Sequence, residues 1–241
     1  MAPGNPYVDI LDVDAVRLFS MEEDSECFLG LARVLHSHKR ADRFVVTLLH
    51  NHFPIDNGEG LLREISLDQR GVLVSVGALE SFPQDSREVS WRVMPDGEMA
   101  PLQWSKGTAG GFLLDAGDRR CIDEAACVLA HNSSLLRFGL ALALDLPRTE
   151  DEYILEQTFV DTREQTLEIR PRSELESMNT IQTSWRLPEP AVIEAAWGCT
   201  KKVNSWCLSS CETRCKEGAY SHDSQHRGAR HKRQSEKVHH S

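Results

Sequence analysis

Apolar and polar positions alternate most cleanly between Leu136 and Asp145. Leu136, Phe138, Leu140, Leu142 and Leu144 share one parity; Arg137, Gly139, Ala141, Ala143 and Asp145 share the other. Successive side chains of a strand point to opposite faces, so this pattern predicts a strand, bounded by Asn132-Ser133-Ser134 and Pro147. A second apolar run, Phe44 to Leu49, leads into His50-Asn51-His52 and predicts a strand over 43–52. Further strands are predicted over 61–67, 71–76, 152–160, 164–170 and 179–187, eight or nine in all. Ser90 to Met94, Pro95-Asp96-Gly97 and the residues from Glu98 read as a hairpin with an Asp-Gly turn. Pro101, lacking an N–H, places the second strand of that hairpin at an edge.

Helical spacing runs through residues 12–39, as one helix or two, with Phe28, Leu31, Ala32 and Leu35 on one face and Asp24 or Ser25 as a cap. Residues 119–131 predict a short helix, and residues 1–8, with two prolines and a glycine, a flexible lead-in. Pro188 and Pro190 suggest a boundary, with one or two helices over 191–217. From Gly218 the chain is almost without apolar residues, which predicts a disordered arm. The expected fold is α+β and β-rich: a curved or barrel-like antiparallel sheet with helices packed on one side, plus a Cys/His-rich C-terminal tail. Its expected organisation is a body over 1–190, a Cys-containing helical segment over 191–217 and a basic, His-rich tail over 218–241.

Composition narrows the function classes. The chain has 241 residues, 40% of them apolar, enough for one large domain. Residues 1–198 hold 18 Lys and Arg against 33 Asp and Glu, whereas residues 199–241 hold nine against four. An acidic body lacks the basic surface that phosphate backbones require, so nucleic acid is an expected partner of the basic tail at most. No apolar run is long enough to cross a membrane as a helix, and the first residues lack the basic and apolar regions of a secretory signal. Seven cysteines without such a signal read as reduced thiols, and a cytoplasmic location is expected.

The candidate chemistry lies in two places. If the 43–52 strand runs its full length, His50 and His52 share a face at its rim, where two imidazoles can chelate a metal or share a proton. A catalytic metal commonly takes three protein ligands and leaves a position open. Glu59 and Glu64, the nearest glutamates downstream, are the candidates to complete the site, Glu59 as a ligand and Glu64 as a catalytic partner of His52. Cupin, JAMM-type hydrolase and condensation-type acyltransferase patterns each come near this segment, and each departs from it in spacing or in chain length. The second place is the tail, where Cys207, Cys211, Cys215, His222 and His226 offer ligands in a compact span that zinc could order. No Gly-x-Ser-x-Gly, phosphate loop or dinucleotide fingerprint occurs. The expected function is a small metal-dependent hydrolase or isomerase, using a divalent metal such as zinc on a small-molecule substrate. The alternative is a non-catalytic binding or scaffold module with the tail as its interaction arm.

Overall fold

The computed structural model describes residues 5–66, 70–106, 113–131, 137–144, 146, 148–175, 178–189 and 192–200. Ten strands close into one barrel: β1 (Phe44–Leu48), β2 (Glu59–Ser66), β3 (Gly71–Ala78), β4 (Arg87–Val93), β5 (Met99–Ser105), β6 (Phe138–Leu142), β7 (Glu152–Phe159), β8 (Glu164–Pro171), β9 (Thr180–Glu189) and β10 (Val192–Thr200). Around the barrel the order is β1-β6-β4-β5-β2-β3-β8-β7-β10-β9, and β9 pairs back onto β1. The sheet is mixed rather than antiparallel, because β2 runs parallel to β5 and β10 parallel to β7. Three helices accompany it: α1 (Met21–Ser37), α2 (Ala116–His131) and the short α3 (Arg172–Leu175). Among the described residues no helix is long and apolar enough to cross a membrane.

Two apolar layers explain the sequence pattern. Phe44, Val46 and Leu48 of β1, Val89, Trp91 and Val93 of β4, Phe138, Leu140 and Leu142 of β6, and Trp185 and Leu187 of β9 pack against α1 and α2 on the outside. Val45, Leu61, Val72, Val74, Leu102, Ala141, Ile154, Leu167 and Trp197 fill the inside. Strands buried on both faces read as continuous apolar runs, as Phe44-Val45-Val46 does. The leucine parity of β6 therefore faces the helices, and its small parity faces the lumen. At Gly139 an added Cβ would lie 2.5 Å from the Trp91 carbonyl oxygen, so only glycine lets β6 lie this close to β4.

Helix α1 begins at the extended N-cap Ser20, and its first turn carries Glu22, Glu23 and Asp24 at the positive end of the helix dipole. The Asp24 carboxylate accepts from the Ser20 backbone N–H at 2.9 Å and from Arg137, so neither Asp24 nor Ser25 is itself the cap. Lys39, just past the C-cap His38, takes a left-handed φ of 56° and ends the helix. The Asp-Gly hairpin forms as expected, with Gly97 at φ 88° between β4 and β5. Strand β5 is not at an edge as expected, since it pairs with both β4 and β2; Pro101 is accommodated because it pairs with Trp91 of β4 while the β5–β2 pairing begins only at Gln103.

Two further expectations need correction. Residues 5–8 of the supposed lead-in are part of the fold: Tyr7 is buried with the inner layer and its hydroxyl donates to the Leu102 carbonyl. Buried Arg92 of β4 donates from Nη1 to the Pro6 and Val8 carbonyls at 3.0 and 2.8 Å, fastening this segment to the barrel. The second correction concerns the boundary at 190 and the helices over 191–217. Over its described part that region is strand β10, which pairs with both β9 and β7 because a closed barrel needs a partner on each side. Residues 201–217 and the 218–241 arm lie outside the described residues.

The outer layer gives a stability prediction. Phe28 is 1% exposed and packs at 4.5–5.4 Å between ring centroids against Phe19, Phe138 and Trp185. Phe28→Ala should lower unfolding free energy by about 3–5 kcal/mol in urea denaturation. A loss below about 1 kcal/mol would show that this face is not a packed core.

Candidate metal centre

His50 and His52 do not share a face of β1, because β1 ends at Leu48. Leu49 still donates its N–H to the Arg137 carbonyl at 2.7 Å; the chain then turns to the N-terminal segment. Asn51 is the pivot. Its N–H donates to the Leu11 carbonyl at 2.8 Å, its carbonyl accepts from Val13 N–H at 2.9 Å, and its side-chain Nδ2 donates to the Ile10 carbonyl at 3.1 Å. With Asn51 held on one side, the flanking imidazoles turn inward and meet edge to face, ring centroids 4.8 Å apart.

The third and fourth groups come from the far end of the sequence. Glu156 of β7 and Cys199 of β10 are register partners in the parallel pairing of those strands. Gly198, next to Cys199, lets β10 lie close to β9, since an added Cβ there would lie 2.4 Å from the Ile181 carbonyl oxygen. The ligand atoms of His50, His52 and Cys199 all lie within 4.8 Å of one another, a group that could hold a metal ion. The side chains of His50, His52 and Glu156 are 9%, 1% and 9% exposed, and Cys199 is fully buried.

Hydrogen bonds set the state of each ring. His50 Nδ1 donates to the Leu48 carbonyl at 2.8 Å, which leaves Nε2 turned toward the cluster, 3.8 Å from Glu156 Oε1. His52 Nε2 donates to the same oxygen at 2.8 Å. Such a carboxylate–histidine pair orients the ring and raises its basicity toward a metal. Burial by itself would lower both imidazole pKa values, but hydrogen bonds to Cys199 and Glu156 outweigh it: His52 is raised and His50 is raised well above its usual value. Burial works against ionised Glu156 too, yet the two imidazoles hold it well below the usual carboxylate range. The same rings hold the Cys199 thiol below its usual value against burial and against the Glu156 charge, so the imidazoles stabilise both acidic groups while those two oppose each other.

The cluster borders a cavity of about 70 Å³ inside the barrel, lined by Tyr7, His50, His52, Arg63, Glu156 and Ser184 among others. Cys199 is not among its lining residues. Buried Arg63 of β2 also belongs to this wall; desolvation brings its pKa down to about 10, with the Glu156 charge acting in the opposite sense.

Glu59 and Glu64 stand elsewhere. Leu61 and Arg63 of β2 face the lumen, so the alternation turns Glu64 outward, where it is exposed and pairs with Lys106 at 3.0 Å. Glu59 sits at the start of β2 and accepts both Arg163 Nη1 and Nη2, at 3.0 and 2.5 Å. Neither is brought to the histidines; Glu156 takes the acidic place. Two signals pointed to the missed residues: Glu156 is the one charged residue within the run Tyr153 to Glu156 and shares the parity of inward Ile154, and Cys199 shares the parity of inward Trp197. The tail ligands Cys207, Cys211, Cys215, His222 and His226 lie outside the described residues.

The charge pairing predicts a pH dependence in protein stripped of metal by a chelator. Glu156 is depressed, so its contribution is complete above about 4.5 and is lost as pH falls through the folded value. The imidazoles are raised, so theirs is complete below about 6.5 and is lost as pH rises through the folded values. Glu156→Gln, which leaves a buried imidazolium unpaired, should cost about 3 kcal/mol between those limits and less at alkaline pH. Urea denaturation of both proteins at pH 5.5 and above pH 9 measures this; a gap that widens toward alkaline pH contradicts the assignment.

Comparison of the chain with protein-family models, with curated proteins and with solved structures returns no match.

Proposed function

We propose that the barrel is a small metal-dependent enzyme, a hydrolase or isomerase acting on a small organic substrate, with His50, His52 and Cys199 as the ligands. The observation that carries this reading is their convergence, within 4.8 Å of one another, beside an internal cavity walled by an ionised carboxylate. Two imidazoles and a thiolate suit zinc, which takes nitrogen and sulfur at about 2.0–2.3 Å and, in catalytic sites, commonly uses three protein ligands. Tetrahedral angles at those bond lengths need ligand atoms about 3.3–3.6 Å apart, so the group has to contract by roughly 1 Å, within reach of side-chain rotation. When bound, such an ion polarises a carbonyl or lowers the pKa of water.

The chain's own residues supply the rest. The Leu48 carbonyl fixes the His50 ring so that Nε2 faces the cluster. Glu156 orients His52 and, standing on the cavity wall, holds a negative charge beside the site. The apolar lining from Leu49, Phe53, Leu61 and Leu102 keeps the dielectric low, which strengthens each of these interactions. Cys199 has no exposed surface and lies off the cavity wall, which suits a ligand reached by an ion more than a nucleophile that must reach a substrate. The alternative of a non-catalytic module with an interaction arm rests on the tail, which lies outside the described residues.

Elemental mass spectrometry on the full-length protein tests the reading. Wild type should carry close to one metal per chain. His50→Ala and Cys199→Ser should lose at least about tenfold in metal affinity, as expected when a ligand is removed from a three-ligand site. A full-length variant with Cys207, Cys211, Cys215, His222 and His226 all replaced by alanine should keep the barrel's metal. Unchanged metal in His50→Ala, or loss only in the tail variant, sinks the barrel site.

A further inference from the structure

Arg63 is a buried cation whose partners are incomplete. It is 4% exposed, on the inner face of β2, and it lines the cavity that His50, His52 and Glu156 also line. Its Nε donates to Gln103 Oε1 at 2.5 Å, a neutral acceptor. Its Nη1 is buried with no hydrogen-bond partner, and among the described residues no carboxylate forms an ion pair with it. Glu156 reaches it only as a field, and Glu156 Oε1 already accepts from His52 and lies 3.8 Å from His50. A guanidinium in that condition is costly: buried charges are ordinarily paired and fully hydrogen-bonded. The Oγ of fully buried Ser184, which lines the same cavity, is also without a partner. Unsatisfied donors that line one cavity leave a place for an acceptor that the protein itself does not provide.

We propose that Arg63 binds the carboxylate of a small organic acid inside the barrel, in the cavity that Ser184 also lines. As an assignment of substrate class this rests on the reading of the cavity as a metal-dependent enzyme; as a carboxylate site it does not. The guanidinium is planar and carries donors in a fixed fork, the geometry that matches a carboxylate. The cavity of about 70 Å³ has room for only a few water-sized groups, which limits the occupant to a handful of non-hydrogen atoms. With its acid group on Arg63, such a molecule presents its remaining atoms to the wall that bears His50, His52 and Glu156. Arg63 is then a specificity-determining residue: it admits small carboxylates and rejects their neutral amides, whose binding would leave the buried charge uncompensated.

The test is titration calorimetry of full-length protein with acetate, acetamide and inorganic phosphate at pH 7, with metal content measured on the same samples. Acetate should bind, acetamide should not, and Arg63→Gln and Arg63→Met should each weaken acetate binding by about tenfold or more, the loss expected of a charged hydrogen-bond donor. Without ligand, Arg63→Met should melt no lower than wild type, because it removes an incompletely paired buried charge. His50→Ala separates the two sources of carboxylate affinity: retained acetate binding after metal loss places the acid on Arg63, whereas acetate binding lost in His50→Ala and kept in Arg63→Met places it on the metal and overturns the proposal. Absence of acetate binding, phosphate binding in its stead, or an Arg63→Met protein that melts far below wild type also overturns it, the last by making Arg63 a structural residue. Wild type free of metal that still loses acetate binding in Arg63→Met upholds the carboxylate site and removes the metal reading.

Discussion

Every strand of a closed barrel must be bonded on both sides, and the structure depends on how that requirement is met at β10. This strand inserts between β9, with which it runs antiparallel, and β7, with which it runs parallel. Closure removes the edges that would otherwise expose unpaired backbone groups. It also fixes which side chains become neighbours. The parallel register sets Cys199 beside Glu156, and the β9–β1 pairing at the next seam brings the end of β1, and so His50 and His52, to the same end of the lumen.

What that arrangement encloses is mostly charge in balance. Two imidazoles, a carboxylate and a thiol share one buried corner, where the imidazoles favour ionisation of the two acidic groups and are favoured by them in turn. Removing any one leaves its neighbours with an uncompensated charge, so the corner behaves as a unit. Arg63 differs because its nearest opposite charge is already engaged by His52. An interior that satisfies one set of charges fully and another incompletely is more readily explained by a missing occupant than by packing alone.

Parity and local turn chemistry were legible in the sequence, and direction and register were not. Alternation from Phe138 to Leu142 announces a strand, but nothing in it tells that the leucines face helices and the glycine and alanines face the lumen; that depends on where α1 and α2 pack. The Asp96-Gly97 turn was readable because positive φ demands glycine there. His50 and His52 stand together, though around the pinned Asn51 rather than along a pleat, because the N-terminal segment competes for the backbone beyond Leu48. Glu59 and Glu64 are near the histidines in sequence, whereas a barrel brings together residues related by strand order. Val192 to Thr200 carries small residues and bulges in place of clean alternation, so its strand character shows only in its two pairings.

The span of these contacts has a kinetic meaning. Tyr7 bonds to Leu102 across 95 positions, and His52 to Glu156 across 104. Loops of that length must close before the contacts they bring reward the chain, and topologies dominated by such contacts fold slowly. The four-group corner joins early and late segments of the polypeptide, so it exists only once those long loops have closed. Any affinity of this corner for an ion is therefore a property of the closed barrel and of no local stretch of the sequence.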